Sequence, residues 1–239
     1  AGYGSAHSSF PDYVGADRMR LGKEAMEALQ AEIYGRLAPG NELVVAGAIG
    51  LEGTALIARQ EYARLRKHFS ESFLRECQGF WPTCLNESKD MQGAGDLGVS
   101  WEPDAFSESG SVWETARAAG ATALYAMNEG GFLCALWKMA EASQIGLEMD
   151  FGKVPIRQET IEICEVFDIN PYRMRSGGAL LIGMPAGEGL VHKLHRMGIM
   201  ASVIGQTNAG NDRLLYYNGN ARYLDRPTKD EIYKVIEKR

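Results

Sequence analysis

Apolar residues recur along the chain at two spacings, one typical of buried strands and one typical of amphipathic helices. Short apolar runs predict strands at residues 42–47, 122–127, 145–150, 179–184 and 201–205, and a hairpin that pairs residues 213–217 with 222–224. Apolar residues three and four positions apart predict helices at residues 16–37, 51–68, 112–119, 158–167, 188–197 and 230–237, and one that starts at Gly131. This alternation predicts an α+β fold in which a mixed sheet packs against helices.

Two parts of the chain lack either spacing. Residues 1–14 are rich in glycine and serine and are predicted to form a tail before the first helix. Residues 70–75 either extend the second helix or start another, and residues 78–111 contain several helix breakers that predict an irregular insertion. Glu102, Asp104 and Glu108 lie there as an acidic cluster, either a solvated loop or a metal site. The predicted division is therefore a tail and helix in residues 1–40 and one domain in residues 41–239.

The first of three glycine-rich turns follows the strand at residues 42–47. Gly47, Gly50 and Gly53 fall three apart, and Glu52 lies between the last two, where the strand gives way to a helix. Backbone N–H groups at such a junction can bind phosphate. The spacing is not that of the dinucleotide-binding fingerprint, and no Lys-Ser or Lys-Thr pair follows to complete a Walker motif. A structural turn and a phosphate loop both remain open.

The second glycine turn joins the strand at residues 122–127 to the next helix. It consists of Asn128, Glu129, Gly130 and Gly131. Glycines at a helix N-terminus leave N–H groups that, together with the helix dipole, favour an anion. The alternative is a turn that needs glycine only for its backbone geometry, and Glu129 would repel an anion unless it points away or binds magnesium.

The third turn, Ser176-Gly177-Gly178, precedes the strand at residues 179–184. Arg173 and Arg175 stand just before it and either contact an anion or lie on the surface. Because all three turns lie beside strands, we expect them to meet at one edge of the sheet. The predicted phosphate- or nucleotide-binding residues are those of the three turns together.

Composition narrows the classes of function. A net charge of −6 argues against a nucleic-acid partner, which needs a basic surface. The sequence has no apolar run long enough to cross a bilayer and no signal-peptide pattern, so we expect no membrane contact. The cysteines, Cys77, Cys84, Cys134 and Cys164, lack CxxC spacing. We expect them to be reduced and metal-free in a cytoplasmic protein. His192 and His195, three apart on a predicted helix, have no evident third metal ligand.

Three stretches together resemble the aminoimidazole ribonucleotide (AIR) synthase-related superfamily. They are Asn-Glu-Gly-Gly-Phe from residue 128, Ala-Leu-Trp-Lys-Met-Ala-Glu-Ala-Ser-Gln-Ile-Gly-Leu-Glu-Met-Asp from residue 135, and Val-Pro-Ile-Arg-Gln-Glu-Thr from residue 154. The resemblance is to the C-terminal domain, with HypE, a hydrogenase maturation factor, as the most similar branch. It covers residues 40–233 and weakens between 78 and 123. Met127 and Asn128 depart from the family's Asp-x-Thr-x-Gly-Gly, and Ser176 and Gly177 from its Asn-Glu-Gly.

The resemblance implies α/β/α layers and a glycine loop at Gly47, Gly50 and Gly53 that faces a nucleotide cleft. Family enzymes use ATP and Mg²⁺ to activate an oxygen as a phosphate ester or anhydride. The resemblance is also compatible with a homodimer. Most of that chemistry belongs to an N-terminal domain that residues 1–40 are too few to form. HypE also ends in Pro-Arg-x-Cys, whereas this chain ends in Glu-Lys-Arg, so we expect no chemistry by that route.

Two hypotheses follow. In the first, the chain is an AIR synthase-related domain that binds a phosphorylated small molecule or a protein partner without catalysis and requires no cofactor. In the second, it belongs to an ATP-dependent enzyme that works with a missing or separate N-terminal domain. The sequence favours the first, because metal ligands and a general acid are not evident, and fold alone does not decide function.

Overall fold

The computed structural model describes residues 35–84 and 112–236, and for residues 81–84 it describes the backbone alone. The predicted tail, nearly all of the predicted first helix, Cys84's side chain and the acidic cluster at residues 102–108 lie outside this part of the chain. Gly35 forms a bridge with Ala123, so residues 35–37 are not helical as predicted.

Seven strands in the described residues form one mixed sheet in the order β2-β4-β1-β5-β3-β6-β7. The strands are β1 (Glu42–Ala46), β2 (Ala123–Met127), β3 (Gly146–Asp150), β4 (Ala179–Met184), β5 (Ala201–Asn208), β6 (Arg213–Tyr217) and β7 (Asn220–Tyr223). Strands β3 and β6 are parallel, and the other neighbouring strands are antiparallel. The predicted mixed sheet is confirmed, and the predicted strands match within a few residues.

Helices cover both faces of the sheet, as the α+β prediction requires. The described α-helices are α1 (Leu51–Gln60), α2 (Tyr62–Leu65), α3 (Glu71–Cys84), α4 (Val112–Ala118), α5 (Gly131–Ser143), α6 (Gln158–Phe167), α7 (Glu188–Arg196) and α8 (Tyr233–Ile236). On β1, Leu43 and Val45 pack with α5, whereas Val44 and Ala46 pack with α4 and α7. Because successive side chains point to opposite, covered faces, residues 43–46 of β1 are all apolar.

The remaining helices pack against one another in a third apolar cluster. It unites Ile57 of α1, Leu74 of α3 and Ile163 of α6, all fully buried, with Ile232 just before α8. Helix α1 thus connects the sheet, through β1, to a helical layer beside it. In the described ranges, 35–84 and 112–236, no helix is both long and apolar enough to cross a membrane.

The structure corrects three further predictions. Helix α8 begins at Tyr233 and not at residue 230. The helix predicted for residues 51–68 is interrupted at Glu61, where φ is −103° and ψ is 23°. Helix α3 runs to Cys84, so residues 78–84 are not part of an irregular segment. Proline at position 82 has no N–H for the carbonyl of Gln78, four residues earlier, but Arg59 donates to that carbonyl with an Nη2–O distance of 3.3 Å. A side chain from α1 thereby satisfies the group that the proline leaves open.

Candidate functional site

Two strand-to-helix junctions in the molecule are built in the same way. Gly50 between β1 and α1 has φ 74°, and Gly130 between β2 and α5 has φ 81°. Both are left-handed, a conformation that glycine adopts without the cost that a side chain imposes. Neither residue can cap its helix with a side chain, so the first N–H groups of both helices need acceptors from elsewhere in the chain.

The third glycine turn meets both junctions. The Gly50 N–H donates to Ser176 Oγ at 2.9 Å, and the Gly53 N–H donates to the Arg175 carbonyl at 3.2 Å. On the other side, a Cβ built on Gly131 would lie 2.4 Å from the Met174 carbonyl oxygen. The structure therefore brings the three predicted turns together around residues 174–177. We call this place the glycine junction, defined as Gly50, Gly53, Gly130, Gly131, Ser176 and Gly177.

The other predicted site residues lie around the glycine junction in structural contacts. A Cβ on Gly47 would lie 2.8 Å from the Gly178 carbonyl oxygen, so these two glycines allow a close approach of backbones. The Asn128 carbonyl accepts from the Gly131 N–H at 3.0 Å and closes the second turn. Glu129 is exposed and hydrogen-bonds to Tyr233, whose pKa is raised, first by burial and then by this carboxylate.

One carboxylate of the chain, that of Glu52, fills the space between α1 and the third turn. Its Oε2 accepts from the Gly177 N–H at 3.0 Å, and its Oε1 lies 3.0 Å from the Arg175 guanidinium. Glu52 is only 6% exposed, and the Arg175 side chain is 17% exposed. The alternative of a surface position for Arg175 is therefore wrong: it is half of a largely buried ion pair. Arg173 pairs with Asp225 at 2.7 Å.

A second carboxylate, that of Asp230, caps α5. Its Oδ2 accepts from the Gly130 N–H at 2.7 Å and its Oδ1 accepts from the Ile232 N–H at 2.9 Å. Asp230 is 2% exposed, and burial raises its pKa while backbone N–H groups of Ile232, Gly130 and Arg175 oppose the rise. The sequence analysis did not identify this residue.

The glycine junction is thus a place where backbone N–H groups hold negatively charged oxygens, and these oxygens come from the chain itself. Among the residues that the structure describes, no three His, Cys, Asp or Glu side chains are grouped so as to hold a metal ion. His195 contacts the Ala201 carbonyl through Nε2 at 2.8 Å, which gives it a structural partner. Cys77, Cys134 and Cys164 are buried free thiols.

Residues 112–217 match the family described as "AIR synthase related protein, C-terminal domain". Carbamoyl dehydratase HypE of Rhodobacter capsulatus is 25% identical over 127 residues, which are 50% of this chain and 37% of that protein. The crystal structure of E. coli HypE is similar with a TM-score of 0.57 and 21% identity, over 82% of this chain and 52% of that one. Thiamine monophosphate kinase from Aquifex aeolicus has a TM-score of 0.50 and 17% identity, over 80% and 54%.

HypE has also been solved in complex with ATP and in complex with HypF. The present chain spans about half the length of these solved relatives and 37% of the length of Rhodobacter capsulatus HypE. At these identities the solved structures establish the fold, and the family match covers the segment from α4 to β6. The predicted resemblance is confirmed as a resemblance: residues 112–217 match the C-terminal domain of AIR synthase related proteins, and the described residues have a fold similar to that of HypE.

Proposed function

We propose that the chain binds a phosphorylated small molecule at the glycine junction, as the C-terminal-domain part of an AIR synthase-related protein. The observation that carries the proposal is that N–H groups of two glycine turns already bind carboxylate oxygens, Gly130 that of Asp230 and Gly177 that of Glu52. A phosphate oxygen can accept hydrogen bonds from the same N–H groups, because it too is a negatively charged acceptor.

Asp230 is the carboxylate that a phosphate would displace. Asp230 is buried but directly follows an exposed segment, residues 225–229, whereas Glu52 lies within α1 and is held by Arg175. Displacement of Asp230 would uncover the N-terminus of the 13-residue helix α5. The site therefore admits an anion only in competition with the chain's own side chain, which favours a weak or regulated ligand over a permanently bound one.

A nucleotide is one phosphorylated ligand that the proposal includes, since HypE binds ATP. Magnesium would reach the junction on the phosphates of the nucleotide, because the described residues supply no cluster of three ligands for it. We place the protein in the cytoplasm in this proposal, where the buried thiols would stay reduced.

The second candidate is an ATP-dependent enzyme that works with a further domain or a separate chain. Two observations favour it: the chain spans 52% of E. coli HypE, and HypE forms a complex with HypF. In this case a protein partner would supply the rest of a nucleotide site at the glycine junction, and a homodimer is one such arrangement. ATP hydrolysis measured with and without a candidate partner domain distinguishes this function from ligand binding alone.

Calorimetric titration of ATP and of inorganic phosphate tests the first candidate. We expect the wild type to bind at high micromolar to millimolar ligand and Asp230→Asn to bind roughly tenfold more tightly, because a competing charge is removed. Asp212→Asn makes the same chemical change at an exposed position in the loop before β6, so it should bind like the wild type. If neither ligand binds to the wild type or to Asp230→Asn, the glycine junction is purely structural and the proposal is wrong.

A further inference from the structure

A cleft of about 500 Å³ is lined in part by residues 170–172, which shortly precede the third glycine turn. Its walls come from the 3₁₀ turns Phe151–Lys153 and Pro171–Arg173 and from the β6–β7 hairpin. The lining side chains used below are Phe151, Tyr172, Leu215, Tyr217, Asn220 and Arg222. A concave, mostly apolar space of this size with a few polar groups is typical of small-molecule sites.

The register of the hairpin explains how these side chains come together. Leu215 pairs with Arg222, and Tyr217 pairs with Asn220, so all four side chains project from the same face of the sheet. Leu215 is buried in the core cluster on the α5 side, which identifies that face. The outer end of the hairpin thus extends the core-facing surface beyond the part that α5 covers, and the cleft forms there.

Aromatic rings form the apolar walls. Phe151 and Tyr172 pack edge to face, with centroids 4.8 Å apart and planes at 81°. Tyr217 stands at the opening with 59% of its surface exposed. Two rings that pack edge to face still have other faces and edges that a third ring can contact. Such a contact is favourable whether the third ring stacks offset or edge-on.

A positive charge lies at the same opening. The Arg222 guanidinium is 5.1 Å from the centroid of the Phe151 ring, and the residue is exposed on the edge strand β7. In the part of the chain that the structure describes, Arg222 has no salt bridge, whereas Arg173, Arg175 and Arg213 each pair with a carboxylate. An arginine held on an aromatic ring without a carboxylate partner can receive one from a ligand.

We propose that this cleft binds a small planar aromatic anion, with the ring against Tyr172 and Tyr217 and the carboxylate on Arg222. The ring supplies the apolar burial that the walls require, and the carboxylate supplies the missing partner of the guanidinium. The site is separate from the glycine junction and needs no phosphate, so it stands whether or not the function proposed above is correct.

The test compares two probes, 2-naphthoate and its neutral analogue 2-naphthamide, by calorimetry or ligand-observed NMR on the whole chain. Arg222→Gln should weaken 2-naphthoate binding about tenfold, the usual worth of a charged hydrogen bond, and leave 2-naphthamide within about twofold. Tyr217→Ala should weaken both probes, because it removes a wall that each ring needs. Both changes are at exposed positions, so circular dichroism and thermal melting should match the wild type.

Two matched variants serve as controls. Arg226→Gln removes the charge of another exposed arginine, and Tyr223→Ala removes another exposed ring, which is 65% exposed and projects from the opposite face of β7. Neither should change the affinity for either probe. The proposal is overturned if the wild type binds no 2-naphthoate at millimolar concentration, if Arg222→Gln leaves its binding unchanged, or if Arg226→Gln weakens it equally, since attraction would then be nonspecific.

Discussion

At the scale of single residues, the glycine junction depends on which oxygen each glycine N–H receives. Gly50 donates to a hydroxyl, Gly177 to Glu52, and Gly130 to Asp230. Helix N-termini favour negative charge, which explains why two of these three acceptors are carboxylates. The positions of Gly50 and Gly130 can be predicted from the sequence, because few residues other than glycine adopt a left-handed turn. It does not predict the acceptors, because Asp230 lies 100 positions from Gly130 and Glu52 lies 125 from Gly177.

Asp230→Asn should cost little at acid pH, because the amide, like the protonated carboxyl, has one carbonyl oxygen that accepts an N–H group and one group that donates. Burial raises the pKa of Asp230 in the folded protein above 3.8, so the folded state keeps this proton to higher pH than the unfolded chain. The stability of the wild type relative to Asp230→Asn is therefore highest below pH 3.8 and falls as pH rises through the folded pKa.

Urea unfolding of the wild type and Asp230→Asn across this pH range measures the difference, in which the other carboxylates cancel. We expect the wild type to lose stability relative to Asp230→Asn from acid to neutral pH, by about 1.4 kcal/mol for each unit by which the folded pKa is raised. A relative gain in wild-type stability with rising pH would mean that the fold stabilises the charged form of Asp230, contrary to the direction of the pKa shift.

Gly131→Ala should destabilise the fold by about 2 kcal/mol or more. Gly131 has φ 63°, and a Cβ would lie 2.4 Å from a backbone oxygen that cannot move without the whole third turn. The matched control is Gly189→Ala in α7, where an added Cβ meets nothing within 4 Å. This substitution should stabilise the helix by about 0.5–1 kcal/mol. Thermal melts that show equal shifts for the two variants would contradict the close packing of the turns.

At the scale of elements, the sequence predicts best the strands and helices whose limits follow from their own residues. Strand β4 is apolar throughout because both of its faces are covered, and the prediction for residues 179–184 matches it fully. Helix α3 shows the opposite case, because its last turn depends on Arg59 of α1, which no local pattern reveals. The start of α8 is a similar case: it lies at Tyr233 and not at residue 230 as predicted, and the Asp230 side chain instead accepts from the Gly130 N–H of another element.

The ion pair between Glu52 of α1 and Arg175, which directly precedes the third turn, gives a prediction at the scale of elements. Arg175→Gln should cost about 3 kcal/mol, because it leaves the buried Glu52 carboxylate without its cation. Arg75→Gln removes an arginine from the i,i+4 pair with Glu71, whose side chains are 69% and 55% exposed, and should cost at most about 0.5 kcal/mol. Chemical denaturation of both variants makes the comparison. Equal costs would show that the Glu52–Arg175 pair does not hold the two elements together.

At the scale of the whole molecule, the three apolar clusters divide the structure into a sheet with two covered faces and a helical layer beside it. The sequence predicts the layers through alternation along the strands and periodicity along the helices. It does not predict the separate helical layer, because the apolar stripes of α1, α3 and α6 look the same whether they meet a sheet or one another. Two cysteines of this layer, Cys77 and Cys164, can report whether it opens on its own.

Both thiols should resist alkylation in the native protein and react through the same opening of the helical layer. Burial raises the pKa of Cys77 to about 12, with Glu159 and Glu76 adding to the rise, and burial and Glu231 raise that of Cys164 to about 12. Thiolate is therefore scarce at pH 8, and reaction with iodoacetamide waits for exposure. Peptide mapping by mass spectrometry at increasing urea should give one free energy of opening for the two residues. If Cys77 is labelled without denaturant while Cys164 stays protected, α3 opens alone, and the helical layer is not the cooperative unit that its shared core predicts.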